Sequence, residues 1–148
     1  MFGHHPEIIA VRVTQYYYGI SVHAAFDPDK HDKSHLRYVN GVKICINKFD
    51  TIMEKNKQIK GAECIKKRYC YLEYQTEAYI EVYYTSNDNP MYTDESGCYL
   101  LGKVVIKFPP PHNIHHNLDV EVVFGKTEIH VKVTDMSGKH CDASFDVI

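Results

Sequence analysis

Histidine and cysteine are the side chains in this sequence best able to do chemistry, and their spacing decides how much. His112, His115 and His116 form the densest histidine cluster. Three imidazoles can hold zinc or nickel. The simpler reading is a solvated loop, because the cluster follows Pro109-Pro110-Pro111 and proline cannot donate to a sheet ladder. The five cysteines are Cys45, Cys64, Cys70, Cys98 and Cys141; they are irregularly spaced and contain no Cys-x-x-Cys pair. That pattern argues against a disulfide framework or a zinc site and for reduced thiols, the default of a cytoplasmic protein. A nucleophilic Cys70 or Cys98 needs a base beside it, and no histidine adjoins either. Both are expected to be buried, inert thiols. Lys66-Lys67-Arg68 can touch a phosphate or an acidic partner, but fits better as a solvated strand edge that discourages aggregation. The sequence carries neither a glycine-rich phosphate loop nor a paired-carboxylate motif.

The elements that would position such residues read as strands. The chain has 148 residues, enough for one domain with its own core. Hydrophobic residues make up 44% and charged residues 24%, which is globular rather than disordered. A net charge of −2 gives no footprint for nucleic acid. No apolar run approaches the ~20 residues of a membrane span, and Met1 to Pro6 has neither the basic region nor the apolar run of a signal peptide.

Alternation with period two dominates, the mark of strands half-buried against a shared core. Ile80 and Val82 alternate with Tyr79, Glu81 and Tyr83; Val104, Ile106 and Phe108 with Lys103, Val105 and Lys107. The same pattern runs through Val120-Val122-Phe124, Ile129-Val131-Val133 and Cys141-Ala143-Phe145. Earlier, Tyr16, Tyr18, Ile20 and Val22 share one face of a strand in which Gly19 marks a close approach. Turns are expected at Asn40-Gly41, the strongest hairpin signal, at Gly125 and at Gly138. Residues 26–36 read as a polar loop. Composition allows a short helix over 50–60, and periodicity alone does not settle it. Short strands separated by turns predict an all-β, two-sheet antiparallel sandwich.

Several motifs, in order, resemble the 70-kDa heat-shock family. Leu101-Gly102-Lys103-Val104-Val105-Ile106 is followed by Pro109-Pro110-Pro111, then by Val120-Glu121-Val122-Val123-Phe124. The hairpin Val131-Lys132-Val133-Thr134-Asp135-Met136-Ser137-Gly138-Lys139 comes next. Ile52 to Ile59 resembles the family's second sandwich strand and the Lys-Asn turn after it, which favours strand plus loop over helix there. Tyr18-Gly19-Ile20-Ser21-Val22 resembles the first strand. Cys45 with Phe49-Asp50, Lys67-Arg68-Tyr69, Phe124 to Ile129 and Phe145-Asp146 resemble the divergent heat shock 70 kDa protein 12 subgroup.

The resemblance implies the substrate-binding β-sandwich of a chaperone, without its helical lid. Residues 1–14 would be the end of a nucleotide-binding domain lying outside this chain. Residues 15–148 would be the sandwich, with 26–48 a long insertion carrying the Asn40-Gly41 hairpin. The chain itself would not be an enzyme and would need no cofactor; ATP would act only through the domain outside it. Its partners would be unfolded or extended peptide segments of client proteins, held between two loops by backbone bonds and one aliphatic pocket. Carried over by position, the pocket floor is Ile20, Ile80 and Val82. One rim is Val22, His23 and Ala24; the other is Cys70, Tyr71, Leu72 and Glu73. Plain core packing is the competing reading for the floor, and outward sheet positions for Tyr79 and Tyr83.

Two further readings stay open at this level. The sandwich can be an interaction scaffold that has lost its peptide cleft and binds a fixed partner or another copy of itself. It can also be an unrelated sandwich that binds carbohydrate or metal.

Overall fold

A computed structural model describes residues 11–71 and 75–146. It contains eleven strands and no α-helix among the described residues. They are β1 (Val11–Val13), β2 (Tyr17–Ala25), β3 (Leu36–Val39), β4 (Val42–Met53), β5 (Gln58–Lys60), β6 (Glu63–Tyr71), β7 (Glu77–Thr85), β8 (Cys98–Lys107), β9 (His116–Phe124), β10 (Glu128–Thr134) and β11 (His140–Asp146). No described helix is long and apolar enough to cross a membrane.

Two antiparallel sheets face each other. One has the order β3-β4-β2-β7-β8 and the other β11-β10-β9-β6. A small ribbon, β1-β5, adds a third pairing that the two-sheet expectation did not contain. The alternating residues fill the space between the sheets. Ile20, Ile80, Val82, Ile106, Leu118, Val120, Val122, Phe124, Ile129, Val131 and Val133 are all buried. Each such aliphatic side chain contributes about 1.5–3 kcal/mol on burial, so the alternating stripe fixes both the faces and the register.

The turns follow backbone chemistry. Val39 and Val42 close a two-residue hairpin through Asn40 and Gly41, with φ of 50° and 79°. Positive φ at both positions is what a type I′ turn requires. Gly125 N–H donates to Glu128 O at 2.9 Å where β9 turns into β10. In the next turn the Asp135 carboxylate accepts from Ser137 N–H at 2.9 Å and Lys139 N–H at 3.1 Å. Gly138, at φ 88°, completes it. Residues 50–60 form strand, turn and strand, with Asn56 at φ 65° between β4 and β5. The polar loop after Phe26 holds one turn of 3-10 helix, Lys33–His35.

Each side of the sandwich is closed differently. On one side the Phe145 ring of β11 lies on Gly102 of β8, where a Cβ would collide with it. On the other, Tyr69 and Lys67 of β6 reach Asp50 of β4 across the gap. The end of the sandwich at Tyr17 and Thr85 is packed with aromatic rings. Tyr18 meets Phe124 at 5.3 Å between centroids, and Tyr16 meets Tyr84 at 5.2 Å. The β1-β5 ribbon attaches at this end, where the Arg12 guanidinium donates to Gly125 O. The opposite end holds the loops of interest.

Candidate functional site

The two central strands of the larger sheet part company halfway along. β2 and β7 pair antiparallel from Tyr17↔Thr85 through Tyr18↔Tyr84 and Gly19↔Tyr83 to Ile20↔Val82, where the ladder stops. β2 continues along β4, with a register shift between Val22 and Ala24, to Ala25↔Ile44. β7 continues along β8 to Glu77↔Lys107. Ser21–Ala25 and Glu77–Glu81 are therefore strand segments each paired on one side and not with each other. An unbroken register would have set Val22 opposite Ile80 and Ala24 opposite Ala78. The result is a fork with two strand edges facing one another inside a sheet, and such edges can accept an added strand.

The side chains named from the sequence fall into three groups. Ile20, Ile80 and Val82 are 0% exposed and belong to the core between the sheets. They lie at and just inside the root of the fork, packed rather than open. Val22 and Ala24 are half-buried on the same face of β2, and Val22 touches the core. His23 is exposed on the other face. The protein around it nevertheless lowers its pKa below that of an ordinary histidine, through desolvation of the imidazolium. On the β6 side, Cys70 is exposed and Tyr71 half-buried. Leu72 and Glu73, with Tyr74, lie outside the described residues. The buried, inert thiol expected at Cys70 is thus corrected. Alternation along β6 turns Cys64, Lys66, Arg68 and Cys70 outward. Cys98 is half-buried, and burial raises its pKa, so its thiol is the less reactive form at neutral pH.

Contacts that the sequence does not announce organise this end. Tyr71 stands opposite His116 in the β6-β9 ladder and packs on Phe108 at 5.5 Å. Phe108 and His116 stack at 4.5 Å with planes 7° apart. Phe108 N–H donates to Thr76 O at 2.8 Å, tying the end of β8 to the segment that leads into β7. His116 is 2% exposed, which corrects the solvated-loop reading for that histidine. It opens β9 as the first inward position before Leu118 and Val120, a signal that the alternation does carry. The His112 ring lies 6.2 Å from that of His116, but no group of three metal-ligating side chains occurs among the described residues.

A polar clasp sits at the root of the fork. Asp50 is opposite Ile20 in the β2-β4 ladder. Tyr69 donates its phenol hydrogen to Asp50 Oδ2 at 2.6 Å, and Lys67 Nζ lies 3.5 Å from Oδ1. Burial, with the carboxylate as acceptor, pushes the Tyr69 pKa well above the ordinary phenol value. Lys67 was expected to be solvated; it is half-buried against this carboxylate. Its neighbour Arg68 does lie at the exposed edge, paired with Asp119 at 2.8 Å. Tyr79 is an outward sheet residue, 49% exposed, with its hydroxyl on Glu77.

Two open concavities lie elsewhere. One, of about 370 Å³, is bounded by Gln58, Lys60, Ala62 and Glu63. The other, of about 430 Å³, lies over Phe49 and Tyr92. Neither opens onto Ile20, Ile80 or Val82.

Comparison with known proteins gives one informative likeness. The chain is similar to human heat shock 70 kDa protein 12B, 22% identical over 160 aligned positions. The match takes in 100% of this chain and 23% of that protein; the chain thus spans about a quarter of the relative's length. No family model matches the sequence. No solved structure matches it either. The likeness extends to one region of that protein, and the fold of this chain is a two-sheet β-sandwich.

Proposed function

We propose that this chain is a peptide-binding module of the 70-kDa heat-shock type, which takes an extended client segment into the fork between β2 and β7. The observation that carries the reading is the end of the β2-β7 ladder at Ile20↔Val82 while both strands continue on their other sides. A guest strand between Ser21–Ala25 and Glu77–Glu81 would complete the sheet. Backbone bonding of that kind is blind to sequence, and side-chain selection would come from the apolar root. Micromolar binding needs about 8 kcal/mol. A buried leucine supplies about 1.5–3 kcal/mol and each backbone hydrogen bond about 0.5–1.5 kcal/mol net. Several backbone bonds are therefore required, as a full guest strand would make. Val22 and Ala24, half-buried at the mouth, are the positions to receive an aliphatic side chain. ATP would act only through a separate nucleotide-binding domain of a longer chaperone.

A labelled heptapeptide, capped at both ends and carrying a central leucine, tests this by titration against the chain and its Val22→Asp variant. Micromolar binding that weakens tenfold or more in the variant is the expected result. Equal binding by both removes the fork as the site.

The complete burial of Ile20, Ile80 and Val82 favours a second reading, that of an interaction scaffold. The insertion is also firmly packed: His35 stacks on Tyr92 at 3.7 Å and bonds Asp94 at 2.8 Å. In that reading the sandwich binds a fixed partner or a second copy of itself. Failure of both proteins to bind the peptide, with a solution mass of more than one chain, would favour it.

A further inference from the structure

The insertion builds a second concavity on the outer face of the larger sheet, over Lys48 and Phe49 of β4, which pair with Val22 and Ser21 of β2. Phe49 of β4 lies on its floor, with Pro90 and Tyr92 beside it, all buried, and Met91 at the rim, 52% exposed. These walls are held in place. Phe49 N–H donates to Met91 O at 2.8 Å, and the Tyr92 hydroxyl accepts from Asp32 N–H at 2.9 Å. The His35 ring covers the other side of Tyr92.

The polar lining is entirely basic: Lys30, His31 and Lys48. Neither lysine ammonium has a hydrogen-bond or ion-pair partner among the described residues. His31 accepts a hydrogen bond at Nδ1 from Asp27 N–H, 2.9 Å. In the neutral ring the proton is then on Nε2, which becomes a donor. No acidic side chain is part of the lining: Asp27 accepts from Asp29 N–H at 2.9 Å, and Asp29 and Asp32 are exposed beside Lys30 and His31 in the chain. Glu95 accepts from Met91 N–H and Tyr92 N–H at 2.8 and 2.9 Å, and Asp94 is bound by His35. Three basic side chains thus border an apolar floor whose lining holds no carboxylate.

We propose that this concavity binds the free C-terminal carboxylate of a peptide whose last residue is apolar. The carboxylate would sit among Lys30, His31 and Lys48, and the side chain against Phe49, Pro90 and Met91. At about 430 Å³ the space lies at the small end of ligand sites, ~300–1,000 Å³, and suits one or two residues. Charge complementarity selects the anion, and the fixed apolar walls select what is attached to it.

The test uses the full chain with ¹³C-labelled methionine methyls and an N-acetylated tripeptide, Ala-Ala-Leu, with either a free or an amidated C-terminus. The Met91 methyl signal should shift with the free acid, and the affinity should exceed that of the amide at least tenfold. Lys48→Gln, at an exposed position, should remove most of that difference and leave the amide unchanged. Equal affinities for acid and amide would overturn the proposal, as would an unaltered preference in Lys48→Gln. Inorganic phosphate that matches the acid's affinity would overturn the peptide assignment as well. The proposal does not depend on the fork. The doubly capped heptapeptide lacks the carboxylate and reports only on the fork, so failure at one site is distinguishable from failure at the other.

Discussion

Ile20 and Val82 stand directly opposite each other, and they are the last pair that joins β2 to β7. Both side chains are 0% exposed. Beyond this pair β2 and β7 are no longer bonded to each other, while Ala78 and Ile80 of β7 still point into the core. The position of that transition sets the root of the proposed site: a buried apolar pair, then two strand segments not paired with one another.

Gly19 lies one residue before Ile20, under the Phe49 ring, where a Cβ would collide with the ring carbons. Gly19→Ala is expected to destabilise the chain by about 1–3 kcal/mol, the usual cost of overpacking. Phe49→Leu in the same chain should recover part of the loss, because the offending atoms are those of the ring. Urea unfolding of the two single variants and the double variant measures the coupling.

The clasp at Asp50 makes a second prediction. Tyr69→Phe removes the hydrogen bond to Asp50 Oδ2 and leaves a half-buried carboxylate with Lys67 alone. A loss of about 1–3 kcal/mol is expected for an acceptor left short of a donor. Lys67→Met should cost less, since its nitrogen is 3.5 Å away and partly solvated. Equal losses from the two variants would show that the phenol is not the principal partner.

Tyr71 gives a dependence on pH. Its pKa is raised from 10.0 to about 12 by burial against Phe108. The unfolded chain ionises this phenol near its ordinary value, while the folded chain keeps the proton. The unfolded state binds fewer protons in that window, so stability falls as pH rises from about 10 towards 12. Below about 10 this contribution is intact. Tyr71→Phe should flatten the fall in unfolding free energy between those values, measured against the parent chain.

Much of the sandwich is legible in the sequence because its strands are half-buried and alternate cleanly. Val120, Val122 and Phe124 point inward as their spacing requires, and Asn40-Gly41 turns where two positive φ angles are needed. His116 was harder to read. It looks like part of a solvated histidine cluster, yet its ring is flat enough to stack on Phe108 and fill an inward position. Residue type favours burial for Cys70, whereas its place on β6 turns it outward. Within the basic run Arg68 lies at the solvated edge, but Lys67 does not, because its partner, Asp50, is 3.5 Å away across the sandwich and distant in sequence. The fork has no local signature at all. It arises because β4 and β8 keep their holds on β2 and β7 after those two release each other, and such a balance of long-range pairings leaves no mark on spacing or composition.

Amide hydrogen exchange across β2 and β7 tests the central claim most directly. With the capped central-leucine heptapeptide at saturation, amides within Ser21–Ala25 and Glu77–Glu81 should exchange at least tenfold more slowly, while those of Tyr17–Ile20 change little. A peptide that binds without slowing exchange in either segment would contradict the account.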